Sequence, residues 1–137
     1  MNQFKKLTIL VPVYNEENTI AALLEKLKGV ELINNIEKEI VLVNDCSTDK
    51  SEQKIKLYQE HKKALNIQYF AHSTNQGKGG AIHTGILHAS GDYLIIQDAD
   101  LEYDPMEFNI LIDAVVRCNA DLVYGSRFIG DKPHIAT

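Results

Sequence analysis

The run DYLIIQDADLEYDPME, residues 92–107, decides how this chain folds. Tyr93-Leu94-Ile95-Ile96 is a short continuous apolar segment, the pattern of a strand buried on both faces. Acids follow at once at Asp98, Asp100 and Glu102. Asp104-Pro105-Met106-Glu107 then reads as a helix start, with Asp at the N-cap, Pro at the first helical position and Glu at the third. Phe108, Leu111, Ile112 and Val115 supply that helix with an apolar face. A buried strand (Asp92–Gln97), a polar edge and a capped helix in succession are the repeating unit of a covered parallel sheet.

The rest of the chain repeats the theme. Leu7–Val13 is a near-continuous apolar run of strand length, and Ile20, Leu23, Leu24 and Leu27 recur at helical spacing. Glu39–Asn44 is a second strand, followed by a Lys-rich helix from about Asp49 to Lys63. Ile67–Ala71 is a third, weaker strand. Gly80–Ala89 reads as a helix with Ala81, Ile82, Ile86 and Ala89 inward, and Ala120–Tyr124 as a fifth strand. The expectation is one α/β domain over residues 1–137, a three-layer sandwich around a mostly parallel sheet. Ligands of such sheets bind outside the C-terminal strand ends. The polar clusters fall there: Tyr14-Asn15-Glu16, Asp45-Cys46-Ser47, Asp98-Ala99-Asp100 and Ser126-Arg127.

Composition narrows the classes. The net charge of −5 argues against a general nucleic-acid binder. No apolar run reaches the roughly 18–20 residues of a membrane helix, and residues 1–6 carry no signal-peptide pattern, so the reading expects a cytoplasmic domain. Cys46 and Cys118 offer neither a disulfide scaffold nor zinc spacing. Residues 1–66 balance ten Lys against ten acids, so residues 67–137 carry the whole excess. Six acids cluster between Asp92 and Glu107, and no Lys or Arg lies between Lys78 and Arg117. A charge run is often only a solvated face, but this one begins at a strand end.

In extended chain, residues two apart point the same way, so Asp98 and Asp100 can converge. Two such carboxylates repel unless a proton or cation intervenes. Hard oxygen ligands suit Mg²⁺ or Mn²⁺, with Glu102 as a third ligand if the backbone stays extended. The string D-x-D by itself is short and common. Gly77-Lys78-Gly79-Gly80 lacks the P-loop's earlier Gly and following Ser or Thr, and Ile82 breaks the dinucleotide fingerprint. It is either an anion-friendly helix start carrying one ammonium or a plain loop-to-helix junction. The histidines form no metal motif, and Cys46 has no base beside it in sequence.

Five segments in order, Val11–Glu16, Val43–Asp49, Asn75–Ala81, Gln97–Glu102 and Gly125–Phe128, resemble glycosyltransferase family 2. The likeness covers nearly the whole chain and looks closest to dolichyl- and undecaprenyl-phosphate sugar transferases of cell-envelope biosynthesis. It implies a GT-A, Rossmann-like fold and a UDP- or GDP-sugar donor. Pro12, Tyr14 and Glu16 would line the base and ribose pocket. Val43 and Asp45 would touch the nucleobase, Asp45 by a base-edge hydrogen bond. Asp98 and Ala99 would hold ribose and donor, and Lys78 would join this nucleotide-sugar-binding set. Asp100 would ligate Mn²⁺ or Mg²⁺ with Glu102 as second ligand, and Arg127 would reach the diphosphate, making Asp100 and Arg127 the catalytic pair.

The implied reaction is an inverting displacement at the anomeric carbon, with a polyprenyl phosphate at the membrane surface as acceptor. Asn44 stands where many members have Asp; the implied base contact lies one position later. The resemblance also makes residues 1–137 the donor-binding part of a longer, membrane-associated transferase. The competing readings are a nucleotide-sugar-binding module without turnover and another nucleotide enzyme, a nucleotidyltransferase or dehydrogenase. Against the latter stands Tyr14-Asn15-Glu16 where a glycine-rich first turn belongs.

Overall fold

The structure is a computed structural model describing residues 4–61, 65–99, 107–118, 122–123 and 128–129. Strands β1 (Lys6–Val13), β2 (Glu37–Asn44), β3 (Ile67–Ala71) and β4 (Tyr93–Ile96) alternate with helices α1 (Ile20–Gly29), α2 (Ser51–His61) and α3 (Gly77–His88). Helix α4 (Phe108–Cys118) and two short strands, β5 (Leu122–Val123) and β6 (Phe128–Ile129), follow. The sheet order is β3-β2-β1-β4-β6-β5. The first four strands are mutually parallel, and β6 runs antiparallel to both β4 and β5.

This order sets the layers. From β1 the chain steps outward to β2 and β3, then returns across β1 to β4. Crossovers between parallel strands are right-handed, so reversing the direction of travel reverses the face on which the helix lies. Accordingly α1 and α2 pack on one side, where Ile20, Leu23, Leu24 and Ile55 meet Ile9, Val11, Ile40 and Ile95, and α4, which follows β4, joins that cluster through Phe108 and Ile112. Among the described residues helix α3 alone covers the other side, with Ile82 against Leu10, Leu94 and Ile96, and Ala81 against Val41 and Val43. The three-layer α/β arrangement expected from the alternation is present.

Local chemistry explains the element ends. All four stripe residues of α1 are fully buried. The Lys38 ammonium donates to the carbonyls of Leu27 and Val30, both at 2.6 Å, where the helical hydrogen-bond ladder runs out. Helix α3 begins at Gly77, three residues before the expected Gly80. Glycines disfavour helix, but here a side chain from β2 caps the extra turn. At Gly85 a Cβ would collide with the Leu10 side chain, so only glycine lets α3 settle this closely on β1. The expected strand over Ala120–Tyr124 is limited to Leu122–Val123 among the described residues, and β6 lies between it and β4. Two-residue strands carry no periodic signal, which is why β6 was not foreseen.

The N-terminal edge of the sheet is held by a buried charge. Glu39 is 1% exposed. Its Oε1 accepts from the Thr8 hydroxyl at 2.7 Å and the Ser90 N–H at 3.0 Å. Its Oε2 accepts from the Ser90 hydroxyl at 2.7 Å and the Gln68 amide at 2.8 Å, with the Lys6 ammonium 3.4 Å away. Burial opposes the charged form, but the Ser90 and Thr8 hydrogen bonds and Lys6 outweigh it and hold the Glu39 carboxyl below its usual range. Beside it, the Gly91 N–H donates to Thr8 Oγ1 at 2.9 Å, which ties the turn before β4 to β1.

Replacing Glu39 by Ala orphans these donors and is expected to cost about 3 kcal/mol in urea unfolding followed by circular dichroism. Because the folded-state pKa is depressed, the carboxylate stabilises fully above its ordinary range and loses that effect as pH falls through the folded value. The unfolding free energy of the wild type should therefore decline on acidification more steeply than that of Glu39→Ala.

Candidate functional site

The chain reverses direction at β1, and the crevice between the C-terminal ends of β1 and β4 is the topological switch point where α/β sheets bind ligands. A cavity of about 500 Å³ opens there, within the roughly 300–1,000 Å³ of ligand pockets. Pro12, Tyr14 and Glu16 line it from the end of β1, and Asp45 from the end of β2. Lys78 reaches it from the first turn of α3, and Asp98 and Ala99 from beyond β4. The structure thus brings together these residues singled out from the sequence, along with Val13, Asn75, Gly77 and Ala81. Val43 is placed differently. Its side chain is fully buried with Val41 and Ala81 beneath α3 and is not part of the lining, so it supports the pocket without facing it.

Asp45 is the most constrained group of the site, 3% exposed. Its Oδ1 accepts from the Gln76 N–H at 2.8 Å and meets His72 Nδ1 at 2.7 Å, while Oδ2 accepts from the Gly77 N–H at 2.8 Å. Burial opposes ionisation, yet the His72 contact and the two backbone donors prevail and hold the carboxyl below its usual range. The helix start that the glycine-rich turn offers to an anion is therefore already answered by a carboxylate from the chain itself. On the far side of the ring, His72 Nε2 lies 2.8 Å from the Thr84 hydroxyl. With Asp45 ionised and acceptor-only, Nδ1 carries the proton.

The histidines show no motif, so sequence reasoning missed His72. The available signal was position: His72 directly follows β3, at the edge where the other polar clusters lie, and its N–H continues the ladder to the Asn44 carbonyl at 2.8 Å.

The segments after β1 and β2 are laced to each other. Val13 and Asn44 are partners in the sheet register, and two residues beyond each the chain turns left-handed, at Asn15 (φ 53°) and Cys46 (φ 61°). Asn15 Oδ1 accepts from the Thr48 N–H at 2.8 Å, and Ser47 Oγ accepts from the Asn15 N–H at 3.0 Å. Ser51 Oγ accepts from the Glu16 N–H at 2.8 Å. Asp49 bridges the Glu17 and Ser51 N–H groups at 3.1 and 2.9 Å. Much of the Asp45–Asp49 motif thus shapes the cavity wall.

In the same lining the Lys78 ammonium pairs with Asp98 Oδ1, joining α3 to the end of β4. The Asp98 side chain is 18% exposed and that of Lys78 48%. An acidic strand end paired with a half-exposed ammonium is a place that charged groups can enter by displacing an ion pair. Asp100, Glu102 and Arg127 lie outside the described residues, as does the Asp104–Met106 helix start. Among the described residues no cluster of three metal-ligating side chains occurs.

Residues 8–133 match the glycosyl transferase family 2 model. The chain is 28% identical over 124 residues to a dolichol-phosphate mannosyltransferase of Pyrococcus furiosus, covering 90% of this chain and 34% of the relative. It is 30% identical over 131 residues to a dolichyl-phosphate beta-glucosyltransferase of Dictyostelium discoideum, covering 88% and 39%. The chain thus spans little more than a third of the length of these relatives. Among solved structures it is similar to a Pyrobaculum calidifontis mannosyltransferase in complex with GDP-Man and Mn²⁺, with TM-score 0.69 and 25% identity over 77% of this chain and 30% of that one. It also resembles S. aureus TarS in complex with UDP, with TM-score 0.73 and 27% identity over 85% and 33%. The expected GT-A fold is the fold observed.

The left-handed turn at Asn15 gives a direct check on the cavity wall. Asn15→Ala removes the acceptor for Thr48 and puts a residue without a local hydrogen bond into the left-handed region, at an expected cost of about 1–2 kcal/mol. Asn15→Gly loses only the acceptor and should fall between Ala and wild type in chemical denaturation. Equal losses for the two variants would remove the backbone contribution.

Proposed function

The chain belongs to glycosyl transferase family 2, and from that premise we propose that the cavity binds the nucleoside-diphosphate end of an activated sugar for inverting transfer. The observation that carries the reading is that one cavity is lined both by the buried Asp45 carboxylate and by the Lys78–Asp98 ion pair. The first suits a neutral base with an N–H to donate; the second suits a charged diphosphate. Tyr14, 47% exposed at the mouth, offers an aromatic face to the base. Its relatives' ligands, GDP-Man in one structure and UDP in another, have this bipolar character.

In this reading the base lies near Pro12, Tyr14 and Asp45, the ribose near Glu16 and Ala99, and the diphosphate near Lys78. Lys78 leaves Asp98 when the diphosphate enters, and with Arg127 offsets the charge that develops on the leaving nucleoside diphosphate. The strand end carries only hard oxygen donors, which fits a divalent ion: Asp100 and Glu102 would hold Mn²⁺ or Mg²⁺, with Asp98 beside them. A bound cation there supplies Lewis-acid stabilisation of the diphosphate. The proposed acceptor is a polyprenyl phosphate at a membrane surface, in keeping with the names of the relatives. A phosphate monoester is already anionic near neutral pH, so no side chain need remove a proton from it. Among the described residues no helix is long and apolar enough to cross a membrane.

Thermal melts with UDP and GDP, each with Mn²⁺ or with EDTA, test the reading. Nucleotide at ~100 Kd should stabilise by about 2.7 kcal/mol in the presence of the cation. An equal shift in EDTA would remove the metal; no shift with either nucleotide would remove the proposed function. Asp100→Asn should weaken the Mn²⁺-dependent part and leave the apo melt unchanged. If the apo protein instead melts early with binding intact, Asp100 is structural.

A further inference from the structure

The donor reading gives no part to His72 and Thr84, although they form a chain with Asp45. The His72 side chain is 7% exposed and that of Asp45 4%. A carboxylate has about two acceptor positions on each oxygen. Both on Oδ1 are taken, by His72 at 2.7 Å and by the Gln76 N–H at 2.8 Å. Among the described residues Oδ2 takes only the Gly77 N–H, at 2.8 Å, so the unfilled capacity of a group lining the cavity lies on Oδ2.

We infer that His72 is a positioning residue of the nucleobase pocket: it fixes the rotation of Asp45 so that Oδ2 meets the N–H of a uracil or guanine. This rests on the proposed function and adds what aims its base contact. Without the ring donor, Oδ1 keeps one partner and the carboxylate can turn about its Cβ–Cγ bond, a soft, roughly two-fold torsion. Thr84 sets the tautomer. By donating its hydroxyl to Nε2, it leaves the proton of the neutral ring on Nδ1, where Asp45 needs it. The arrangement also names the class of base. Uracil presents a ring N–H between two carbonyls and guanine one between a carbonyl and an amino-bearing carbon, whereas cytosine and adenine present a bare ring nitrogen at the matching position. An acceptor held at Oδ2 attracts the first pair and repels the second.

Calorimetric titration of the chain with UDP, GDP, CDP and ADP in Mn²⁺ tests this. The wild type should bind UDP or GDP about tenfold or more tightly than CDP and ADP. His72→Leu should shrink that ratio at least several-fold, with UDP or GDP affinity falling and CDP affinity not falling, and Thr84→Val should shrink it less. His72→Asn, whose amide can reach Asp45 from the position of Nδ1, should restore most of it. Far-ultraviolet circular dichroism and the apo melt establish that each variant folds; should His72→Leu not fold, Thr84→Val and His72→Asn decide. An unchanged ratio in the folded variants, or an equal loss for all four nucleotides, overturns the assignment of His72 while leaving the donor site standing. Failure of the wild type to bind any of them overturns the proposed function and this inference together.

Discussion

Asp45 holds the working edge of this protein together. One carboxylate just past β2 binds the residue that follows β3 and the first N–H groups of α3. Without it the glycine-rich turn would have little reason to be helical, since three of its four residues disfavour helix. With it, Lys78 is placed on the first turn of α3, within reach of Asp98 at the end of β4. The cavity wall is thus a chain of contacts from β2 to β3, α3 and β4. The negative charge survives burial because its hydrogen bonds favour the ionised form more than desolvation disfavours it.

The opposite edge uses the same physics for another end. Glu39 is also a buried carboxylate on β2, and it too binds an α3–β4 element, the Ser90 turn. Yet its acceptor positions are met by Thr8, Ser90 and Gln68, and it lines no part of the cavity. Two buried acids, Glu39 on β2 and Asp45 just past its end, therefore clamp α3 near its two ends. The one at the N-terminal edge is closed off, and the one at the C-terminal edge faces a cavity with capacity to spare. That asymmetry follows from parallel topology, which gathers the crossover starts at the C-terminal edge and leaves an open crevice where the strand order reverses.

Much of this was legible residue by residue. The apolar runs and the stripe Ile20, Leu23, Leu24, Leu27 required strands and a helix where they are found. The polar clusters Tyr14–Glu16, Asp45–Ser47 and Asp98–Ala99 lie at one edge, as alternation of parallel strands demands. Errors have a common cause. The early start of α3, the buried place of Val43 and the work of His72 all depend on partners far apart in sequence: Asp45, Ala81 and Thr84. In the segment Val43–Asp49, which carries part of the family resemblance, Ser47, Thr48 and Asp49 bind the β1 loop around the left-handed turn at Asn15.

By itself, the sequence determined the element types, the layer class and the edge on which chemistry gathers. Those follow from period, capping and strand direction, which are local properties or simple consequences of them. Only the tertiary structure decided which polar residues face the cavity and which brace it. That choice is made by hydrogen bonds between residues about 30 positions apart, such as Asp45 with Gln76 and Asn15 with Thr48. A buried polar group must find a partner, and which partner it finds depends on strand order, a property of the assembled sheet.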